Sequence, residues 1–183
     1  VNVLSSDITV TNNTKTGKPT DGIGAVLGGA KFIGSGGKAT LISELDVLKD
    51  FHNEISGFND LTLTSNTRNA IYFGGDTSSA RLSAKHITLN GQASAVYISE
   101  ENGSSKSIDG FDSLVMNAET RYAVRNVGIG NQAITLSGNK NSAITLTGAR
   151  GAIFTGFKKD GELIGNGSVS VTAGKVTLET TGI

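Results

Sequence analysis

The chain has 183 residues, enough for one domain with a sizeable core. Lys plus Arg and Asp plus Glu number 16 each, so the formal net charge is zero and no basic face calls for a nucleic acid or an anionic membrane. With no Cys, a disulfide scaffold and thiolate chemistry are excluded; no apolar run approaches the roughly 18 residues of a spanning helix, so no direct membrane insertion is expected.

No basic-then-apolar leader precedes Val1, and the chain is expected to be a mature piece or an excised domain. Ile8-Thr9-Val10 is the first strand signal. The Gly-rich run from Gly17 to Gly37 reads as loop with short strands, or as one loosely formed coil. From Ser43 to Gly57, Leu45, Leu48, Phe51 or His52, and Ile55 fall at helical spacing. Ser43 with Asp46 makes a capping box there, and Gly57 a stop. Either a short helix over 44–55 or an irregular coil satisfies this pattern. Further on, Leu61-Thr62-Leu63, Ile87-Thr88-Leu89, Ile134-Thr135-Leu136, Ile144-Thr145-Leu146 and Val176-Thr177-Leu178 alternate with period two. Such alternation turns aliphatics to one face of a strand and Thr to the other. Asn90-Gly91, Asn102-Gly103 and Asn166-Gly167 punctuate the strands as turns.

Two internal repeats organise these strands. Ala followed by Ile or Val recurs at Ala25-Val26, Ala70-Ile71, Ala95-Val96, Ala123-Val124, Ala133-Ile134, Ala143-Ile144 and Ala152-Ile153. The steps from Ala70 to Ala95 to Ala123 are 25 and 28 residues, one solenoid rung each. The later steps of 10, 10 and 9 read as two strands within one coil. The second repeat pairs Ile55-Ser56-Gly57-Phe58-Asn59-Asp60-Leu61 with Ile108-Asp109-Gly110-Phe111-Asp112-Ser113-Leu114, two coils apart. Leu82-Ser83-Ala84-Lys85-His86-Ile87 is a degenerate copy between them, and Phe154-Thr155-Gly156-Phe157 repeats the first half. Asn-Gly turns also suit an antiparallel hairpin. Recurrence of like residues at a rung-length period favours coil stacked on coil. The expected fold is therefore all-β: one right-handed parallel β-helix domain over 1–183, of seven to eight coils. Residues 1–54 form its less regular part and 55–183 its regular coils.

Candidate chemistry is sparse. Gly34-Ser35-Gly36-Gly37-Lys38-Ala39 resembles a phosphate loop superficially, but Ala39 stands where Ser or Thr is needed, and a turn is expected. His52 and His86 are the only histidines and lie 34 residues apart, so neither a metal site nor a cofactor site is expected. Carboxylates gathered on adjacent coils would serve acid–base work or bind Ca²⁺ on a β-helix; the candidates are Asp60, Asp76, Asp109 and Asp112. No catalytic set is assigned from them. Thr-x-Thr pairs, which bind ice on some flat β-solenoid faces, occur only at Thr9/Thr11, Thr62/Thr64 and Thr145/Thr147, in dissimilar coils. The sharpest candidate is an exposed column. Aligning the Ala-Ile/Val dipeptides stacks Tyr72, Tyr97 and Arg125 in successive coils, pointing outward if Ile71 and Val96 point inward. Such a strip stacks a sugar or meets a protein partner, unless it serves only as a ladder between coils. Tyr122 precedes its Ala and falls out of this register.

The two Gly-Phe copies, the Asn/Gly/Ser/Thr-rich turns and the missing Cys together resemble passenger domains of bacterial autotransporters, over roughly residues 40–183. The resemblance implies a right-handed β-helix stalk on the bacterial cell surface or secreted, with adhesion, self-association or biofilm formation as its work. The implied partners are a glycan, a host surface protein or copies of the chain. No outer-membrane β-barrel, folding cap or protease domain of that family is recognisable here. A polysaccharide-acting lyase or hydrolase on the same scaffold is the alternative.

Overall fold

The computed structural model describes residues 1–15, 29–74, 79–99, 106–129, 132–165 and 167–182. Ala25-Val26, Asp76, Asn102-Gly103 and Asn166 lie outside these residues, as do residues 17–28 of the Gly-rich run. The first coil contains β1 (Asn2–Ser5) and β2 (Ile8–Asn12); the second β3 (Lys31–Gly34), β4 (Lys38–Ser43) and β5 (Leu48–Lys49). The third and fourth follow with β6 (His52–Ser65), β7 (Ile71–Phe73), β8 (Ser79–Gly91) and β9 (Val96–Ile98). The fifth holds β10 (Lys106–Asp109), β11 (Ser113–Ala118) and β12 (Tyr122–Asn126). The sixth holds β13 (Ala133–Ser137), β14 (Ala143–Gly148) and β15 (Gly151–Thr155). A hairpin, β16 (Phe157–Lys159) and β17 (Glu162–Gly165), then precedes β18 (Ser168–Thr172) and β19 (Lys175–Thr180).

Every pairing between coils is parallel, and only the β16–β17 hairpin is antiparallel, among the described residues. One long sheet of 12 strands forms two walls, and a short sheet of β5, β7, β9, β12 and β15 forms the third. The fold is a parallel β-solenoid of about five complete turns. The expected seven to eight coils overcount it. Leu48 pairs with Ile71, Ile71 with Val96, Val96 with Val124 and Val124 with Ile153, so the steps lengthen from 23 to 25, 28 and 29 residues. The hairpin takes up further chain outside the stack, and β1–β2 and β18–β19 flank the complete turns.

Stacking like on like builds the core. Val3, Phe32, Ile55, Leu82, Ile108, Leu136 and Val171 form one inward column. Ala39, Leu61, Ile87, Leu114, Ile144 and Val176 form a second, and Val10, Leu41, Leu63, Leu89, Met116, Leu146 and Leu178 a third. Each fully buried aliphatic of these columns contributes about 1.5–3 kcal/mol. The apolar-Thr-apolar strands thus lie where period two puts them. The later Ala-Ile dipeptides are a correction: Ala133, Ala143 and Ala152 begin or lie in β13, β14 and β15, the three walls of one coil rather than two strands of it.

The two Gly-Phe copies align as expected, Ile55 and Ile108 both pairing with Leu82, and Leu61 and Leu114 both pairing with Ile87. The degenerate copy is the coil between. At this corner Gly57 inserts one extra residue into β6 opposite β8. Its φ is +81°, and a Cβ there would lie 2.3 Å from the Gly34 carbonyl oxygen, so only glycine fits. Phe58 and Phe111 then turn inward and are buried. The third, partial copy departs from this. Gly156 leads into the hairpin, away from the stack.

No helix forms over 44–55. The Ser43 hydroxyl accepts the Leu45 N–H at 3.0 Å, in a turn rather than a cap, and Asp46 accepts both Asn69 N–H groups at 3.0 and 3.1 Å. Val47 is as buried as Leu48, which breaks the single helical stripe, and Phe51 is exposed. The backbone instead donates from Val47 and Leu48 to Asn69 and Ala70 of the next coil. Asp50 and Phe51, with φ of 51° and 53°, turn the chain into β6.

Candidate functional site

The short sheet places the expected strip. Leu48, Ile71, Val96, Val124 and Ile153 stack along one register position, and four of the five are fully buried. Alternation turns the next residue of each strand outward. Tyr72 pairs with Tyr97 and Tyr97 with Arg125, so the three residues selected by the dipeptide register do form one column. The column is longer than the sequence indicated. Lys49 precedes Tyr72 and Phe154 follows Arg125. Phe154 follows Ala152-Ile153 as Tyr72 follows Ala70-Ile71, so the same signal marks it. Lys49 follows Val47-Leu48, which carries no Ala and hides the match.

The members of the column meet one another in sequence. The Tyr72 and Tyr97 rings stack with centroids 5.4 Å apart and planes 28° apart. Lys49 Nζ lies 5.6 Å from the Tyr72 centroid, and the Arg125 guanidinium 4.9 Å from that of Tyr97 and 5.6 Å from that of Phe154. The order is therefore cation, ring, ring, cation, ring, with each contact attractive. Both faces of Tyr72 and Tyr97 meet neighbours from adjacent coils. A sugar cannot stack on those faces, and the ring edges are what the column offers laterally. Tyr122, out of register as expected, still meets Phe154 with centroids 5.0 Å apart.

At Phe154 the column ends beside a groove. The groove holds about 470 Å³ and is lined by Arg125, Phe154, Thr155, Gly156, Lys158 and Leu163. Phe154 is 37% exposed and Leu163 67%. Across the hairpin Lys158 faces Leu163, while Lys159 faces Glu162. Arg125 Nε is buried and makes no hydrogen bond.

The carboxylate candidates do not converge. Asp109 lies 3.7 Å from Arg81, which also meets Glu54 at 3.5 Å. Asp112 instead accepts the Asn139 side-chain N–H at 2.9 Å. Asp60 sits in a separate outward column between Lys38 and His86. Asp76 lies outside the described residues. Among the described residues, no group of three His, Asp or Glu side chains is placed to hold a metal ion. The Gly34–Lys38 loop is the corner between β3 and β4, and a strand follows it where a phosphate loop needs a helix.

Sequence reasoning missed three arrangements. Each histidine pairs with a serine of the next coil: His52 Nδ1 with Ser79 Oγ at 2.6 Å, and His86 Nδ1 with Ser113 Oγ at 2.9 Å. A cleft of about 560 Å³ runs past His52, Glu54, Ser79, Arg81 and Ser107. The Thr-x-Thr pairs also share two columns, contrary to their apparent scatter: Thr9, Thr40, Thr62, Thr88, Val115, Thr145 and Thr177 form the first. The second column is mixed. Thr11, Ile42, Thr64, Asn90, Asn117, Thr147 and Glu179 make it up, with Asn117 Nδ2 donating to Asn90 Oδ1 at 2.9 Å and Asn90 Nδ2 to Thr64 Oγ1 at 3.2 Å.

Inside the solenoid, Lys106 is 2% exposed, with Nζ 3.3 Å from Gln132 Oε1 and 5.0 Å from the Phe73 centroid. Burial pushes its ammonium down to about 8, with Asp50 opposing. Comparison with protein-family models, with curated proteins and with solved structures finds no match to the chain.

Proposed function

We propose that the chain is an interaction module of a bacterial surface or secreted protein of the autotransporter passenger type, an adhesin or self-association unit. It binds glycan, host protein or like molecules through a lateral face of the solenoid. The observation that carries this reading is the outward column of the short sheet. Lys49, Tyr72, Tyr97, Arg125 and Phe154 form a half-exposed ridge of aromatic edges and cations with no acidic member. Tyr and Arg are the residue types that concentrate binding energy at interfaces, because they offer large rigid area at low entropic cost. Double replacement of Tyr72 and Tyr97 by Ala tests it, with glycan-array signal and sedimentation-measured self-association as readouts. Loss of either signal in a chain that keeps its β circular dichroism supports the face. An unchanged signal in both readouts sinks it.

The cleft past Arg81 favours a second reading, a polysaccharide-acting lyase or hydrolase. It brings a carboxylate (Glu54), an imidazole (His52) and a guanidinium (Arg81) to one concave surface. Release of unsaturated or reducing ends from polysaccharides, abolished by Glu54→Gln, would establish it.

A further inference from the structure

We propose that the corner joining the Thr-bearing wall to the short sheet binds a linear anionic polysaccharide, laid along the solenoid axis over a row of arginines. The site is separate from the tyrosine column and stands whether or not that column binds a partner. The row is Arg68, Ala93, Arg121 and Arg150, one residue from each of four successive coils. Main-chain hydrogen bonds fix it. Ala93 N–H donates to the Arg68 carbonyl at 2.9 Å, Arg121 N–H to that of Ala93 at 3.2 Å, and Arg150 N–H to that of Arg121 at 3.0 Å. Arg68, Arg121 and Arg150 are all exposed. Thr67-Arg68 and Thr120-Arg121 stand 53 residues apart, the two-coil offset of the Gly-Phe copies. Each Thr hydroxyl donates to a carbonyl of the preceding coil, Thr67 to Glu44 and Thr120 to Gln92 at 2.9 Å, and so anchors its turn. The row lies inside the stack. Glu44 precedes it, and beyond it Thr181 N–H donates to the Gly148 carbonyl at 3.0 Å.

The surroundings specify the ligand. Parallel stacking spaces coils by about 4.8 Å, so Arg68 and Arg121 lie about 10 Å apart at the backbone, and Arg150 one rung further on. Two rungs match the length of one extended disaccharide, so acid groups carried once or twice per disaccharide meet the arginines in register. Guanidinium takes oxyanions bidentately. Among the described residues none of the three arginines is in an ion pair. Arg68 acts on Asp46, but that carboxylate is buried and accepts both Asn69 N–H groups. Glu44 accepts from Asn66 Nδ2 at 3.2 Å. Glu119, two residues before Arg121, opposes the row, and three guanidinium groups outweigh it. Beside the row lies a shallow hollow of about 310 Å³, whose lining includes Thr64, Asn66, Asn90, Asn117 and Glu119. Within it Asn117 donates to Asn90 and Asn90 to Thr64. That relay leaves the Thr64 hydroxyl hydrogen, the second N–H of each amide and the Asn117 side-chain oxygen for sugar hydroxyls. The hollow holds no aromatic ring on which a nucleic-acid base would stack.

The test titrates the whole chain with heparin, polygalacturonate and dextran, and with single-stranded DNA of matched charge. At least one of the two anionic polysaccharides should bind and dextran should not. Which of the two binds more tightly separates a sulfate ligand from a carboxylate ligand. Binding should weaken steeply with salt. Replacing Arg68, Arg121 and Arg150 together by Gln should lower affinity about tenfold or more. Gln at Lys38, Lys85 and Lys140, the same loss of charge from exposed side chains elsewhere, should change it little. Two gain variants test the same row. Ala93→Arg closes its gap and Glu119→Gln removes the opposing charge, and each should tighten binding severalfold. Failure of both anionic polysaccharides to bind overturns the site. So does an equal loss from the lysine triple, an affinity unmoved by both gain variants, or DNA bound as tightly as the polysaccharides. The tyrosine column is judged by its own double variant, so either surface can fall alone.

Discussion

Arg125 lies between Tyr97 and Phe154, over both rings, so one guanidinium joins three consecutive turns of the solenoid. Its neighbours along the column are aromatic, and its attraction to them comes from ring quadrupoles rather than from a carboxylate. The column therefore stabilises stacking whether or not it also binds a partner. Tyr97→Ala removes the stack on Tyr72 and the Arg125 contact together, and should cost about 1–3 kcal/mol in denaturant unfolding. Arg125→Met keeps the apolar stem and should cost less, about 1 kcal/mol. A Tyr97→Ala variant as stable as the parent would show that the ladder carries no stability.

Phe111 is wholly buried at the Gly-Phe corner, beneath the turn that joins β10 to β11. Truncation to Ala should cost about 3–5 kcal/mol, because the stacked neighbours above and below cannot both collapse into the void. An unchanged melting temperature would contradict its place in the core.

The corner glycines separate two effects. Gly57 and Gly110 both have positive φ, at 81° and 66°. A Cβ on Gly57 would strike the Gly34 carbonyl oxygen at 2.3 Å, whereas on Gly110 the nearest atom is Ser83 Oγ at 3.0 Å. Gly110→Ala should lose about 1–2 kcal/mol of conformational preference. Gly57→Ala should lose clearly more, since backbone must move as well. Equal losses in thermal unfolding would mean that the close approach to Gly34 is unimportant.

Lys106 makes stability depend on alkaline pH. Its folded value, about 8, lies below the ordinary 10.5, so between these values the unfolded chain holds more protons than the folded one. Stability therefore rises with pH across this window, by up to about 3 kcal/mol, and the penalty of the buried charge is fully present below pH 8. Lys106→Met should abolish the rise and raise stability at pH 7. A parent chain whose unfolding midpoint is flat from pH 8 to 10.5 would contradict a buried, desolvated ammonium.

Much of this architecture is written in local pattern. Ile-Thr-Leu alternation determined which side chains of each strand face inward, because the pleat has period two. The Ala-Ile/Val spacing determined that Tyr72, Tyr97 and Arg125 share a position, because parallel stacking keeps register from coil to coil. Tertiary structure alone decided the rest. Helical spacing over 44–55 lost to hydrogen bonds from Val47 and Leu48 to the next coil, since a short helix gains little without a partner face. Lys49 joined the column although its strand lacks the dipeptide, because register is set by the neighbouring strand and not by its own sequence. Asp109 and Asp112, three residues apart, turned to Arg81 and to Asn139, because the corner at Gly110 rotates the chain between them. The β16–β17 hairpin after Thr155 is a tertiary outcome too: the chain makes this excursion at the corner and rejoins the stack at β18. A Gly-Phe pair that marks a corner at residues 57 and 110 marks an exit at 156, and only the packing around it distinguishes the two.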